Sequence, residues 1–151
     1  MTGESYNRPP VGRIIVRGEP LFITPKDLTE PATAGMLVAI DGNDYTAKKC
    51  TSGAKPLGWI GYEDTDHKIR PTDYETPFRT GDHVSVVYGG NFELYALATG
   101  SLTLVAGDLL ASNGDGTLTA ASTGVQAVAI ACESKTIAAG TVARIHVKTL
   151  I

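Results

Sequence analysis

Histidine, cysteine and acidic side chains, which carry most catalysis and metal binding, are few and scattered in this chain. The three histidines are His67, His83 and His146, and none lies at a metal-ligand spacing from another histidine or a cysteine. We therefore expect ordinary histidines on partly solvated faces, with no metal ion and no cofactor. A hydrolase-like enzyme would require His67 or His83 to converge with acidic residues in one pocket.

Two turns carry side chains that could offer oxygen ligands to calcium. The first contains Asp41 and Asp44, and the second contains Asn113 and Asp115. Neither turn has the regular ligand series or the bidentate glutamate of a helix–loop–helix calcium site. We therefore expect Asx-type turns, in which a short polar side chain bonds its own backbone. Because the sequence also lacks a nucleophile elbow and a phosphate-binding loop, we expect no enzymatic activity and no catalytic residue.

The composition describes a globular chain with many turns and few long helices. Of 151 residues, 42% are hydrophobic and 19% charged, with 17 glycines, 8 prolines and a net charge of −3. This charge argues against direct binding of nucleic acid, and no apolar run is long enough to span a membrane. The N-terminus has no signal-peptide pattern. Cys50 and Cys132 are expected to be free thiols of a protein made in a reducing cytoplasm, with a disulfide between them as the alternative.

The chain divides into a short arm and a β-rich body. Residues 1–13 are polar and contain Pro9 and Pro10, which favour extended backbone and predict an arm. Residues 14–151 contain short alternating segments bounded by glycine turns, which predict β-strands. One helical turn is predicted after Thr24, with Pro25 at its first position. Residues 64–79 are polar and predict a long excursion from the body.

The body contains an internal repeat. The segment "AGMLVAIDGNDYTA" at 34–47 resembles "AGDLLASNGDGTLTA" at 106–120. Residues Ala34, Gly35, Leu37, Ala39 and Gly42 match Ala106, Gly107, Leu109, Ala111 and Gly114, and after one insertion Thr46 and Ala47 match Thr119 and Ala120. The repeats extend over about 31–88 and 103–148. One such unit is too small to bury its apolar face, so two must pack into an all-β barrel or sandwich.

Four aromatic residues are candidates for an interaction surface. Trp59 and Tyr62 lie on one strand of the first repeat, where the second repeat has Ala129 and Cys132. They could form a binding face or fill the core. Tyr74 and Phe78 belong to the polar excursion, where we expect them to be exposed and available to a partner.

The second repeat resembles the small head decoration proteins of tailed double-stranded DNA phages, also called capsid cement proteins. The segments that carry the resemblance are Ala106-Gly107-Asp108, Asn113–Gly116, Val128–Ala131 and Ala139–Val142. It covers about residues 31–151 when both repeats are counted. The first repeat departs from it at Met36, which replaces the aspartate, and in the excursion at 64–79.

This resemblance implies a β-rich body that forms a homotrimer on the capsid exterior and bridges major capsid protein subunits. The arm could add a strand to an exposed sheet edge of the shell, since extended segments bind in this way. Its candidate capsid-binding residues are Tyr6, Arg8, Pro9, Pro10 and Arg13. The alternative function is a carbohydrate- or receptor-binding module on the virion surface, which would need aromatic and polar residues on one exposed face.

Overall fold

The structure is a computed structural model that describes residues 13–66 and 68–151. Within these residues the chain forms thirteen β-strands and no helix. It therefore contains no helix long and apolar enough to cross a membrane in the part described. The fold class is all-β, as the alternating sequence pattern predicts.

The first barrel contains five strands and closes on itself. Its strands are β2 (Leu21–Leu28), β3 (Leu37–Asp41), β4 (Asn43–Lys49), β5 (Gly58–Ile60) and β6 (His83–Tyr88). Their spatial order is β2-β4-β3-β5-β6, and β6 pairs with β2 to close the barrel. Strand β1 (Ile15–Arg17) precedes this barrel but pairs elsewhere.

The second barrel repeats the same pairing scheme. Its strands are β7 (Glu93–Thr99), β9 (Leu109–Ser112), β10 (Leu118–Ala120), β11 (Ala129–Ala131) and β13 (Val142–Thr149). Their order is β7-β10-β9-β11-β13, with β13 returning to β7. In both barrels the first strand pairs in parallel with the third. Two repeated units are therefore present, and each includes an opening strand that precedes the predicted repeat range.

Two further strands form a small ribbon beside the second barrel. They are β8 (Leu102–Leu104) and β12 (Lys135–Ile137), which pair only with each other. Strand β1 pairs with β7 and extends the second sheet by one strand. The first described strand of the chain is thus attached to the second barrel.

The helical turn predicted after Thr24 is wrong, because this segment belongs to strand β2. Asp27 and Leu28 pair in parallel with β4, and Lys26 pairs with β6. The register shifts between Ile23 and Lys26, around a proline that has no N–H for the ladder. Pairing on both sides outweighs the local helix signal.

The predicted repeat alignment holds for β3 and β9 but shifts in the strands that follow them, β4 and β10. Ile40 opposes Ala47 in the first barrel, and Ser112 opposes Leu118 in the second. Ala47 therefore corresponds to Leu118 and not to Ala120. The shift is two residues, so it keeps each side chain on the same face of the strand.

One hydrophobic core runs through both barrels. Its largest fully buried side chains are Trp59, Phe78, Phe92, Ile14, Leu28, Leu37, Ile60, Leu94, Leu104, Leu110, Leu118 and Ile145. Main-chain hydrogen bonds also cross between the barrels: Leu37 N donates to Gly116 O at 2.9 Å, and Leu97 N donates to Gly35 O at 3.3 Å. The two units are therefore packed against each other as one body.

The buried side chain of Arg144, on β13, lies at the junction between the two barrels. Its Nη1 donates to the carbonyl oxygens of Ala34 at 2.9 Å and Tyr95 at 3.0 Å. Gly35 lies directly beside it at φ +87°, and a Cβ there would be 2.6 Å from Arg144 Nη1 and 2.7 Å from Tyr95 O. The junction thus requires a glycine at position 35, both for its conformation and for space.

We predict that Gly35→Ala destabilises the protein more than Gly42→Ala does. Gly42 has a similar φ of +83°, but a Cβ there would have no neighbour within 4 Å. Gly42→Ala should cost about 1–2 kcal/mol from backbone strain alone. Gly35→Ala should cost about 1–3 kcal/mol more because it also crowds the junction. Urea unfolding of both variants measures the difference, and equal losses would contradict the close approach.

Candidate functional site

Arg13 lies at the base of the predicted arm and is the candidate arm residue that the structure describes. Tyr6, Arg8, Pro9 and Pro10 lie outside the described residues. The Nε and Nη2 of Arg13 donate to the Ile15 carbonyl at 3.1 and 3.0 Å, and its side chain is about half exposed. Arg13 therefore remains accessible to a partner, although its guanidinium already bonds to the chain.

Glu63 connects this segment to the first barrel. Its two carboxylate oxygens accept hydrogen bonds from the backbone N–H groups of Ile14 at 3.0 Å and Ile15 at 2.9 Å. On the other side of the same segment, Ile15 pairs with Leu94 of β7. Because Glu63 follows β5 and Leu94 belongs to the second barrel, the start of the body is attached to both barrels.

The aromatic candidates are mostly buried, so the core interpretation applies to them. Trp59 is 0% exposed, Tyr62 3% and Phe78 1%, and Tyr74 is partly buried against the core. The expectation that Tyr74 and Phe78 are exposed is wrong. Phe78 exchanges backbone hydrogen bonds with Ala32 at 2.8 and 3.4 Å, which seats the end of the excursion on the body.

Equivalent positions of the two barrels carry side chains of different size. In the ladders, Leu37 opposes Trp59 and Leu109 opposes Ile130. Trp59 thus corresponds to Ile130, one residue beyond the predicted Ala129. The asymmetry between the repeats is therefore a difference in packing.

The polar excursion packs on the body through contacts between aromatic rings and arginine guanidinium groups. The rings of Tyr62 and Tyr74 meet edge to face at 6.0 Å. Arg70 lies 4.9 Å from the Tyr62 ring centre, and Arg144 lies 4.9 Å from that of Tyr74. Arg144 also donates to Glu75 Oε1 at 2.6 Å. Cation–π contacts of this kind can hold a loop of mostly polar residues against the body of the protein.

A groove of about 650 Å³ lies between the excursion and the exterior of the first barrel. Its lining residues are Phe22, Ile23, Asp64, Thr65, Asp66, Ile69, His83 and Ser85. The Ser85 hydroxyl donates to Asp64, and the His83 ring pairs with Asp27. His83 and two acidic residues do share this groove, but His83 and Asp64 are each already engaged with another side chain.

Asp64 is the perturbed carboxyl group of this groove. Burial raises its pKa above the usual range, and the hydrogen bond from Ser85 opposes the rise. Asp64 Oδ1 and Thr65 Oγ1 are buried without a hydrogen-bond partner among the described residues. These two atoms lie beneath the groove surface, so they are not available to a molecule bound in the groove.

The two acidic turns bond to their own backbone, as expected for Asx turns. Tyr45 N donates to Asn43 Oδ1 at 2.9 Å, and Thr117 N donates to Asp115 Oδ1 at 3.0 Å. Asn113 Nδ2 lies 3.4 Å from Asp115 Oδ1 in the second turn. Asp41 of the first turn instead pairs with Lys48 Nζ at 3.5 Å.

Glu93, Cys132 and His146 come together on the second barrel. Each offers one potential ligand atom, and the three atoms lie within 4.8 Å of one another. The three residues are far apart along the chain and meet only when the barrel closes, so no motif in the sequence marks them. Cys132 and the buried Cys50 are both free thiols.

The strand order defines the class of this protein as a tandem pair of closed, five-stranded β-barrels. No family model matches the chain, and no curated protein matches its sequence significantly. Among solved structures, it is similar to the N base of head fiber gp8.5 in bacteriophage phi29. The TM-score is 0.52 at 14% identity, over 87% of this chain and 94% of that chain. This neighbour is a phage head protein, so the predicted likeness is confirmed in the fold.

We predict that Asp64→Asn stabilises the protein more at pH 7 than at pH 4. Because the folded pKa of Asp64 lies above the usual 3.8, the folded state holds this proton more tightly than the unfolded state does. The free energy of unfolding therefore falls as pH rises through the raised pKa, and the neutral amide removes that loss. Urea unfolding at both pH values measures the difference between variant and wild type.

Glu19→Gln is the matched control, since Glu19 is exposed and the substitution also neutralises one carboxylate. Its difference from wild type should change little between pH 4 and pH 7. A constant difference for Asp64→Asn as well would show that this carboxyl group is not perturbed by the fold.

Proposed function

We propose that this protein is a virion structural protein that binds the outside of an assembled phage capsid. It stabilises the shell by bridging major capsid protein subunits, acts as a homotrimer, and is made in the host cytoplasm before it joins the head. The observation that carries the proposal is the shared double-barrel fold, which covers 87% of this chain and 94% of the head fiber base.

Physical reasoning supports a stabilising role for such a body. A protein that binds the assembled shell and not its separate subunits stabilises the assembled state by mass action. Two closed barrels with a common core give a rigid body that loses little conformational freedom on docking. In a trimer, the second and third contacts form at high effective concentration once the first is made.

The proposed contact surface is the base of the arm and the apolar residues beside it. A groove of about 550 Å³ contains Arg13, Pro20 and Phe22 among its lining residues. Phe22 is 55% exposed and its neighbour Leu21 is 57% exposed. Exposed apolar side chains of this size, next to the start of the arm, are typical of a protein-binding surface.

The proposal includes no catalysis. His83 shares the larger groove with Asp64, which is the convergence that a hydrolase would need. However, the His83 ring is paired with Asp27, and the carboxylate of Asp64 accepts from Ser85. These pairs serve as structural contacts in our proposal.

The second candidate function, a carbohydrate-binding module, is favoured by the larger groove alone. An exposed aromatic ring, Phe22, lies there with the exposed residues Asp66 and His83, and sugars are bound by ring faces together with hydrogen-bonding side chains. Binding on a glycan array, lost in Phe22→Ala, would support this function. Absence of glycan binding together with binding to heads would favour the decoration role.

The test of the proposed function is sedimentation with phage heads that lack this protein. We expect the full chain to co-sediment at a saturating, lattice-defined stoichiometry and the heads to resist heating better when it is bound. A chain lacking residues 1–12 should bind heads more weakly while its own melting temperature changes little. Equal binding of the truncated and full chains would overturn the role of the arm.

A double variant tests the apolar part of the same surface. Leu21→Ser with Phe22→Ser should weaken head binding by about tenfold or more, because both side chains would lose buried apolar area. Tyr45→Ser is the control, since Tyr45 is 73% exposed and distant in sequence from the arm. If neither the full chain nor any variant binds heads, the proposed function is wrong.

A further inference from the structure

Three side chains of different chemistry converge on the outside of the second barrel. Glu93 begins β7, His146 lies on β13, and Cys132 follows the end of β11. His146 Nε2 and Glu93 Oε1 are 2.7 Å apart, and the Cys132 Sγ lies close enough that all three atoms fall within 4.8 Å of one another. The side chains of Glu93 and His146 are 21% and 23% exposed, so the group is accessible without being fully solvated.

The backbone beneath this group belongs to the longest strand pairing of the second barrel. Strands β7 and β13 pair over seven consecutive positions, including Tyr95 with His146 and Glu93 with Lys148. Cys132 N donates to His146 O at 2.9 Å, which fixes the third position relative to the second. Positions on paired strands are more precise than positions on loops, which favours a preorganised site.

We propose that Glu93, Cys132 and His146 form a binding site for a divalent transition-metal ion of the zinc type. A thiolate, an imidazole and a carboxylate are the three ligand types that Zn²⁺ uses in proteins. Calcium and magnesium prefer sets of oxygen ligands, and only one of these three residues supplies oxygen. Three protein ligands leave a fourth tetrahedral position for water or for a group on another molecule.

The movements needed to bind the ion are small. Zinc binds nitrogen and oxygen at about 2.0–2.2 Å and sulfur at about 2.3 Å, so tetrahedral neighbours are about 3.3–3.6 Å apart. The imidazole and carboxylate must therefore separate by less than about 1 Å, and Cys132 Sγ, which lies within 4.8 Å of both, must approach them by at most about 1.5 Å. Side-chain rotation can supply both movements. Binding requires His146 to carry its ring proton on Nδ1, so that Nε2 exchanges its hydrogen bond with Glu93 for a bond to the ion. The Cys132 thiol, which contacts Ile130 O at 3.8 Å, loses its proton to solvent, and the metal–thiolate bond replaces the S–H bond.

The other oxygen of the Glu93 carboxylate lies near an exposed arginine. Arg17 Nε lies 3.7 Å from Glu93 Oε2, whereas His146 contacts Oε1. The two oxygens of Glu93 thus face different partners, and Oε1 is the one directed to the proposed site. Outer partners of this kind hold a ligand in place and contribute to metal affinity.

The test is a titration of the reduced, tag-free full-length protein with Co²⁺, followed by displacement with Zn²⁺. We expect a thiolate-to-cobalt charge-transfer band in the near ultraviolet and visible bands typical of tetrahedral coordination, at one ion per chain. Zn²⁺ should abolish these bands and should raise the melting temperature, because an ion that binds the folded state stabilises it.

The two cysteines provide a matched pair of variants. Cys132→Ser should lose the charge-transfer band, whereas Cys50→Ser should keep it, since Cys50 is buried in the first barrel. Glu93→Gln and His146→Gln should each weaken cobalt binding at least tenfold, and His83→Gln should leave it unchanged. Circular dichroism confirms that each variant is folded.

Two results would overturn the proposal. The first is the absence of a charge-transfer band in the wild-type protein at saturating Co²⁺, which does not depend on any variant. The second is a band that persists in Cys132→Ser, because a thiolate from another residue would then bind the ion. Neither result bears on the proposed capsid role, which is tested by binding to heads.

Discussion

The guanidinium group of Arg144 lies where the two barrels and the polar excursion meet, and much of the architecture is arranged around it. It satisfies the carbonyl oxygens of Ala34, Tyr95 and Tyr74 and pairs with Glu75. Burial lowers the pKa of Arg144, while the hydrogen bond to Glu75 opposes that effect. A buried charge is tolerated only when its hydrogen-bonding capacity is used, and here three separate parts of the chain provide the acceptors.

This constraint explains why the two repeats differ despite their common strand order. Arg144 corresponds to His83 in the first barrel, and His83 lies on the surface. Only the second barrel therefore provides a buried cation at this place, and only the first provides an excursion to cover it. The same position in the two units thus carries different residues, one that joins the barrels and one that faces solvent.

The sequence predicts the strands well where alternation of apolar residues is strong. His83–Tyr88 and Leu109–Ser112 have the predicted bounds. In the first, Val84 and Val86 alternate with the polar residues His83 and Ser85, and the second ends at the polar glycine turn Asn113–Gly116. The sequence pattern does not predict the ribbon of β8 and β12, because each strand has three residues and pairs with a strand far along the chain. Short segments carry too little periodicity to be recognised before the partner is known.

The residues of the candidate sites are harder to predict for the same reason. Tyr74 is placed by Arg144, which lies 70 residues away, so its own polar neighbourhood gave no sign of burial. His146 and Glu93 are separated by 53 residues and meet only across a strand pair. Spacing rules recognise ligands that lie close together in sequence, and a barrel brings together side chains that such rules do not compare.

The two hydrogen bonds that Glu63 accepts from Ile14 N and Ile15 N also affect how β1 could pair with another molecule. A strand at the border of a sheet offers unpaired N–H groups to which a second molecule can add, and proteins that lack protection there polymerise. The carboxylate occupies two of these donors at the border of the second sheet, while both barrels close on themselves. Another molecule therefore cannot pair with these two N–H groups unless it displaces the carboxylate.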